Sequence, residues 1–154
     1  MSDKIWNIYL SGEIHSDWRE QIAGGVVAAG LPVRLTSPNT VHADSDDCAV
    51  AIFGHEGDKY WHDHKAAMLN SIRTGTLIRE ADVVVVRFGE KYKQWNAAFD
   101  AGYAAAIGTP TITLHPPEHD HALKEVDASA AAMARNPEQV VRALTYVITG
   151  AMPE

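Results

Sequence analysis

The amino-acid sequence predicts an α/β fold in which a five-stranded parallel sheet lies between two layers of helices. Strand-like and helix-like segments alternate along the 154 residues, and the helices can supply the right-handed crossovers that parallel strands require. The run "DVVVVRF" (82–88) is apolar almost throughout, which is typical of a strand buried on both faces of a parallel sheet. Five strands favour a flavodoxin-like three-layer sandwich with strand order 2-1-3-4-5.

The first two strands flank a helix. The segment "IWNIYL" (5–10) is rich in β-branched and aromatic residues, and "LPVRLTSP" (31–38) ends in turn residues. Between them, apolar residues recur every three or four positions over 17–29, which predicts a helix. Gly24 and Gly25 either allow this helix to pack closely on a neighbour or mark a local break in it.

The central part of the chain contains a segment without periodicity. Residues 39 to about 62 are polar and contain glycine, which predicts a long connection of the kind that forms lids or binding segments. Helical spacing returns over 63–80 and is followed by the strand at 82–88. The stretch "FGEKYKQWNAAFDAGYAAAIGTP" (88–110) then supplies a loop and an alanine-rich helix.

The remaining elements complete the sheet. "TITLH" (111–115) is the predicted fourth strand, and a loop and a short helical piece separate it from "SAAAM" (129–133), the predicted fifth. Asn136 and Pro137 have the residue types of a helix cap and first helical position, so the last helix is predicted from there to about Ile148.

Composition restricts the function. A formal charge of −7 and a pI near 5.5 argue against a nucleic acid or an anionic membrane as the main partner. No apolar run approaches the roughly 20 residues needed to span a bilayer, no signal peptide is recognisable, and Cys48 has no second cysteine to pair with. With 46% apolar residues, the chain is expected to form a single domain over 1–154 and to be cytoplasmic.

Parallel sheets bind ligands at the carboxyl ends of their strands, near the point where strand order reverses. This rule selects three loops, at 11–17, 89–94 and 115–121. The first loop leads directly into a helix, where free backbone N–H groups can hold an anion, and its candidate binding residues are Ser11, Gly12, Glu13 and His15. Gly89 begins the second loop.

Asp100 lies in the helix that follows the second loop. At about 100° per residue, this carboxylate lies about 140° away from Ala105, a member of the small alanine face that suits packing on a sheet. A solvated surface acid is one interpretation. The other is a ligand-binding carboxylate, because Asp100 lies near the start of the helix, where Trp95 can stack on a base and Asn96 can hydrogen-bond it.

Two segments carry a family resemblance. "IYLSGEI" and "ADVVVVRFGEKYKQWNAAFDAGYAAAIGTPTI" resemble the nucleoside 2-deoxyribosyltransferase superfamily. "YLSGEIHSDWRE" and "FGEKYKQWN" resemble its YtoQ-like branch more closely. The resemblance implies a flavodoxin-like fold, a homo-oligomer (a dimer or higher) with shared active sites, and cleavage of an N-glycosidic bond through a glycosyl-enzyme intermediate.

The resemblance also implies roles for individual residues. The family's nucleophilic Glu, in a stretch like "GTAxExGYA", aligns with Asp100 in "NAAFDAGYA". A carboxylate can attack or stabilise an oxocarbenium-like sugar carbon. Tyr9 matches a tyrosine that lines the family's pocket, although a purely core-packing role is equally open. These matches predict a small-molecule nucleoside or nucleotide as the ligand, with no cofactor.

Three positions depart from the family pattern. Asp100 has one methylene less than Glu, about 1.5 Å of reach. Gln94 replaces an Asp, and it can hydrogen-bond a base but cannot deliver a proton to it. Thr74 replaces a second Asp beside Arg73, which would favour an anionic ligand such as a nucleotide phosphate.

Histidine-rich stretches raise the alternative of a metal site. One group comprises His55, Glu56 and the run 62–64, and the other lies at 115–121. Neither has the spacing of a recognised zinc motif, so loop histidines are expected and no metal is predicted.

Three hypotheses about function follow. The first is an enzyme that transfers or hydrolyses an N-glycosidic bond, with Asp100 as its carboxylate. The second is a binding module or sensor that keeps the pocket without turnover. The third is a metal-dependent hydrolase that uses the histidine-rich loops.

Overall fold

The computed structural model describes residues 3–91 and 94–154. Its sheet contains five parallel strands in the order β2-β1-β3-β4-β5, so the predicted fold class and strand order are confirmed. The strands are β1 (Trp6–Gly12), β2 (Val33–Thr36), β3 (Val83–Arg87), β4 (Thr111–Leu114) and β5 (Ala132–Ala134). In the register of the central pair, Ile8 lies opposite Val83 and Gly12 opposite Arg87.

Helices cover both faces of the sheet. They are α1 (Trp18–Ala28), α2 (His42–Phe53), α3 (Lys59–Glu80), α4 (Trp95–Ala106), α5 (Lys124–Ser129) and α6 (Pro137–Thr149), with a short 3₁₀ turn at Pro117–His119. Alternate residues of β3 enter two separate cores: Val83 and Val85 pack with residues of α1 and α6, whereas Val84 and Val86 pack with residues of α3 and α4. This alternation of side chains explains why the strand is apolar almost throughout.

The prediction of an aperiodic connection over 39–62 was wrong. Helix α2 occupies His42–Phe53, and α3 already begins at Lys59. Within α2 only Ala49 is buried, because this helix packs chiefly on α3. A helix with one small buried residue produces almost no apolar periodicity, so the pattern gave no sign of it.

The fifth strand lies slightly later than predicted. It spans Ala132–Ala134 instead of 129–133, because α5 continues to Ser129. None of the described helices is long and apolar enough to cross a membrane.

Two local predictions are confirmed. The Asn136 side chain caps α6 by accepting a hydrogen bond from the backbone N–H of Gln139 at 2.9 Å, and Pro137 opens the helix. Helix α1 is unbroken, and a Cβ atom on Gly25 would lie 2.6 Å from a methyl carbon of Val141 in α6. The glycine therefore allows α1 and α6 to approach closely.

Candidate functional site

A cavity of about 740 Å³ opens at the carboxyl edge of the sheet. Its walls come from the loop after β1, the segment from Pro38 into α2, the middle of α3 and the first turns of α4. The predicted site residues that line it are Gly12, Glu13, His15, Thr74, Gln94, Asn96 and Asp100. The cavity lies beside β1 and β3, where the strand order reverses, as expected for this fold. Its size suits a small organic ligand.

Asp100 accepts a hydrogen bond from Ser11, near the end of β1. The Ser11 hydroxyl donates a hydrogen bond to Asp100 Oδ2 at 2.6 Å, and Ser11 itself is 0% exposed. The interpretation of Asp100 as a solvated surface acid is therefore wrong: the carboxylate is half-buried and lines the cavity. Burial raises the pKa of Asp100 above its ordinary value, and the Ser11 hydrogen bond opposes that rise.

Tyr9 packs in the core with Ile78 and Val84, which agrees with the core-packing role, one of the two roles predicted for it. Its side chain is fully buried, and its hydroxyl has no hydrogen-bond partner among the described residues. Burial, with a smaller contribution from the Asp100 charge, raises the pKa of Tyr9 well above its usual range. The hydroxyl therefore stays protonated and keeps an unused donor, which a buried polar group seldom does.

The loop after β1 is fixed by a buried arginine. The Arg19 guanidinium donates to three carbonyl oxygens of the strand end: Leu10 at 3.1 and 3.0 Å, Gly12 at 3.1 Å and Glu13 at 2.6 Å. Burial lowers the pKa of Arg19 to about 10, so it remains charged at neutral pH. Gly12 has φ of +108°, and a Cβ atom there would lie 2.1 Å from the Arg87 carbonyl oxygen. Only glycine fits this position.

Glu13 supports the same loop from within. Its buried carboxylate accepts hydrogen bonds from the backbone N–H of His15 and from the Ser16 hydroxyl, the latter at 2.7 Å. A Cβ atom on Gly89 would lie 2.5 Å from Glu13 Cγ, so the second loop packs directly against this side chain. Glu13 thus shapes the cavity wall, and Gly89 lies behind it.

Amides stand at the start of α4. The Gln94 side chain donates to the Lys91 carbonyl at 2.9 Å and lines the cavity together with Asn96. Thr74 faces the same cavity, with its hydroxyl bonded to the Asn70 carbonyl at 2.9 Å. These groups can hydrogen-bond a ligand, but an amide or a hydroxyl transfers a proton poorly near neutral pH.

Four predicted binding residues lie outside the cavity lining: Ser11 and Gly89, which pack behind it, and Arg73 and Trp95. Trp95 is 73% exposed, and Arg73 is exposed with its guanidinium donating to the Ser37 carbonyl at 3.3 Å. Tyr92, an aromatic residue within the predicted loop at 89–94, lies outside the described residues.

Several residues in the cavity wall were not predicted from the sequence. His42 and Asp46 come from α2, and His42 Nε2 lies 3.2 Å from Asp46 Oδ2. The rings of His15 and His42, both in the lining, have centroids 6.2 Å apart. The wall also contains Asn70, whose side chain ties α3 to the Ser45 carbonyl at 3.0 Å. No motif marks these positions; His42 and Asp46 belong to α2, the helix that the sequence pattern missed, and Asn70 is a lone polar residue within the predicted α3.

The histidine-rich stretches do not converge. Among the described residues, no group of three or more His, Cys, Asp or Glu side chains is placed to hold a metal ion. His62 bonds Asp47 at 2.8 Å, and His119 bonds the Gly89 carbonyl at 3.0 Å. His115 is fully buried and bonds Asp127 at 2.9 Å. These histidines make separate structural contacts.

The order of the sheet, with a ligand-sized cavity at its reversal point, defines a flavodoxin-like α/β protein with a candidate small-molecule site. The chain belongs to the nucleoside 2-deoxyribosyltransferase YtoQ family, whose model matches residues 9–148. It is 41% identical over 140 residues to the protein named "Uncharacterized protein YtoQ" of Bacillus subtilis (strain 168), covering 91% of this chain and 95% of that relative.

Two solved structures share the fold. A 2-deoxyribosyltransferase from Bacillus psychrosaccharolyticus superposes with a TM-score of 0.61 at 16% identity, over 88% of this chain and 90% of that one. A conserved protein from Enterococcus faecalis V583 superposes with a TM-score of 0.59 at 12% identity, over 94% and 99%.

Proposed function

We propose that the protein transfers or hydrolyses the N-glycosidic bond of a nucleoside, nucleotide or related ribosyl compound, with Asp100 as the reacting carboxylate. The observation that carries this proposal is the bond from Ser11 to Asp100 in the wall of a ligand-sized cavity. Membership of a nucleoside 2-deoxyribosyltransferase family supports the same class of chemistry.

In this mechanism an Asp100 oxygen forms a bond to the anomeric carbon of the sugar while the carbon–nitrogen bond breaks. The electron pair of the broken bond goes to the departing base. Water, or a second base, then attacks the same carbon and releases the sugar from Asp100. The attack requires an ionised carboxylate, and the Ser11 hydroxyl favours that form against the effect of burial.

The surrounding groups bind and orient the ligand. The Tyr9 hydroxyl is fully buried and outside the cavity lining, so in this proposal its unused donor serves Asp100 and not the ligand directly. Gln94, Asn96 and Thr74 line the cavity, and in this proposal they hydrogen-bond the base. In this proposal, the sugar contacts the part of the cavity wall that is formed by Gly12, Glu13 and His15.

We also propose that the protein is a cytoplasmic homo-oligomer. A second, mostly apolar groove of about 340 Å³ is lined by Phe53, Met68, Leu69 and Ile72, with Lys65 at its edge. Phe53, Met68 and Ile72 are each exposed. An exposed apolar patch on α2 and α3 is suited to contact another copy of the chain.

A turnover assay tests the proposed function. The full chain is incubated with a panel of nucleosides and their monophosphates, and free base is measured with and without chelator. Base release that is lost in Asp100→Asn supports the proposal. Ligand-induced thermal stabilisation without base release from any compound would instead favour a binding module or sensor.

A further inference from the structure

The described lining of the cavity is strongly acidic. Its carboxylates are Glu13, Asp46, Asp63 and Asp100, and no Lys or Arg is among the lining residues that the structure describes. Lys59 offsets Asp63 at 3.0 Å, and the Arg87 Nε atom lies 4.0 Å from Glu13. The other two acids have no such cation in those contacts, since Asp46 lies beside His42 and Asp100 beside the neutral Ser11 hydroxyl.

This distribution of charge disfavours an anionic ligand. A phosphate in the cavity would face a lining with four carboxylates and no described Lys or Arg, and like charges repel one another more strongly in a partly buried site than in water. Arg73, the candidate phosphate ligand, lies outside the lining and donates to the Ser37 carbonyl.

None of the residues that the proposed function assigns to the base is a carboxylic acid. A neutral nucleoside base leaves as an anion unless it receives a proton as the carbon–nitrogen bond breaks. Gln94 and Asn96 are amides and cannot supply that proton. His15 and His42 are the lining side chains that could do so.

A positively charged base would satisfy both features. Two carboxylates attract it, and it needs no proton to leave. When the carbon–nitrogen bond breaks, the electron pair moves to the ring nitrogen and cancels the positive charge. The sugar carbon bonds to Asp100 and then to water, so the products are a neutral base, the free sugar and one proton.

We propose that the site selects N-ribosides whose base carries a positive charge, such as pyridinium or N7-alkylated purine ribosides, over neutral nucleosides and nucleotide phosphates. This inference rests on the proposed function and narrows it to a class of substrate.

Binding to three related probes tests the selection. Nicotinamide riboside is cationic, its reduced form is a neutral molecule of nearly the same size, and its monophosphate adds negative charge. We expect calorimetric titration to show the cationic riboside binding about tenfold tighter than the reduced form, because about 1.4 kcal/mol of charge attraction corresponds to that ratio. The monophosphate should bind more weakly than the riboside.

Matched variants locate the effect. Asp46→Asn and Asp100→Asn each remove a cavity carboxylate and should reduce the preference for the cation. Asp44→Asn removes the same charge from an exposed position on the same helix, outside the cavity lining, and should leave the preference unchanged. Equal affinity for cationic and neutral ribosides, or tighter binding of the monophosphate, would overturn the inference.

Turnover separates this inference from the proposed function. Release of nicotinamide from its riboside, above the spontaneous rate and dependent on Asp100, supports both. Equally fast cleavage of neutral nucleosides, abolished by Asp100→Asn and by His42→Gln or His15→Gln, would reject the charge selection and leave the proposed function standing. Absence of binding and cleavage for every N-riboside would reject both.

Discussion

Replacing Ser11 by alanine tests how the strand end holds Asp100. The buried Ser11 hydroxyl donates to Asp100 Oδ2 at 2.6 Å. A hydrogen bond to a charged group contributes about 1.5–3 kcal/mol, whereas a bond between neutral groups contributes about 0.5–1.5 kcal/mol. We therefore expect Ser11→Ala to lower the free energy of unfolding by about 1.5–3 kcal/mol at a pH where Asp100 is ionised.

The loss should depend on pH. Burial raises the folded-state pKa of Asp100, so its contribution to stability is most favourable below the unfolded-state pKa and is lost as pH rises through the folded-state value. Removing the Ser11 donor raises the folded-state pKa further. The stability difference between wild type and Ser11→Ala should thus shrink to about 0.5–1.5 kcal/mol in acid, where the carboxyl is protonated.

Urea unfolding at neutral and acidic pH measures both values, provided the m-value is unchanged. Ser129→Ala is the control, because its exposed hydroxyl donates only to the Val126 carbonyl at 2.8 Å and its effect should not depend on pH. In a double-mutant cycle with Asp100→Asn, the stability effects of the two substitutions should not add, because the Ser11 hydroxyl then has no charged partner. An equal loss of stability at both pH values, or strict additivity in the cycle, would mean that the Ser11 hydroxyl does not favour the ionised form of Asp100.

Three further predictions concern the loop, the buried tyrosine and the apolar patch. Gly12→Ala should destabilise the protein by more than about 2 kcal/mol, because φ is +108° and the new Cβ meets the Arg87 carbonyl oxygen. Gly24→Ala, which has open space around it in α1, should stabilise the protein by roughly 0.5–1 kcal/mol. Thermal unfolding of the two variants compares these effects. Tyr9→Phe should raise the free energy of unfolding by about 1 kcal/mol, because it removes an unsatisfied buried hydroxyl, and it should weaken nucleoside binding measured by calorimetry. A loss of stability would mean that the Tyr9 hydroxyl has a hydrogen-bond partner. Ile72→Glu, at a side chain that is 68% exposed, should change the free energy of unfolding by less than about 0.5 kcal/mol while reducing the particle mass measured by light scattering. An unchanged oligomeric mass would exclude this patch as the subunit contact, and a monomeric wild type would exclude the oligomer.

The elements with strong local signals were predictable from sequence. The apolar run at β3 and the cap at Asn136 both reflect short-range chemistry, and the structure reproduces them. Helix α2 was not predictable, because it buries only Ala49 and depends on packing against α3. The cavity residues His42 and Asp46 were missed for the same reason.

The position of Asp100 illustrates a second limit. The helical-wheel prediction measured the angle of Asp100 from Ala105, but the residues of α4 that are buried are Ala97, Ala101 and Ala104. At about 100° per residue, Asp100 lies about 40° from Ala104, so it is on the packed side of the helix and not away from it. Side chains on a helix lean towards its N-terminus, so the carboxylate can reach the strand edge that lies beyond the start of α4. Its partner, Ser11, is 89 positions away in the chain, and no local pattern reports a contact at that separation. Trp95, at the first residue of α4, was expected to stack on a base but is largely exposed.

The central claim is that Asp100 carries out the chemistry at this cavity. The most direct measurement is base release from cationic and neutral N-ribosides by the wild type and by Asp100→Asn, which keeps the size of the side chain and an oxygen for Ser11. The account predicts that the variant stays folded and binds ligand but loses at least about a thousandfold in turnover, since amides are poor nucleophiles and do not stabilise a sugar cation by charge. Unchanged turnover in Asp100→Asn would contradict the role of Asp100 as the reacting carboxylate.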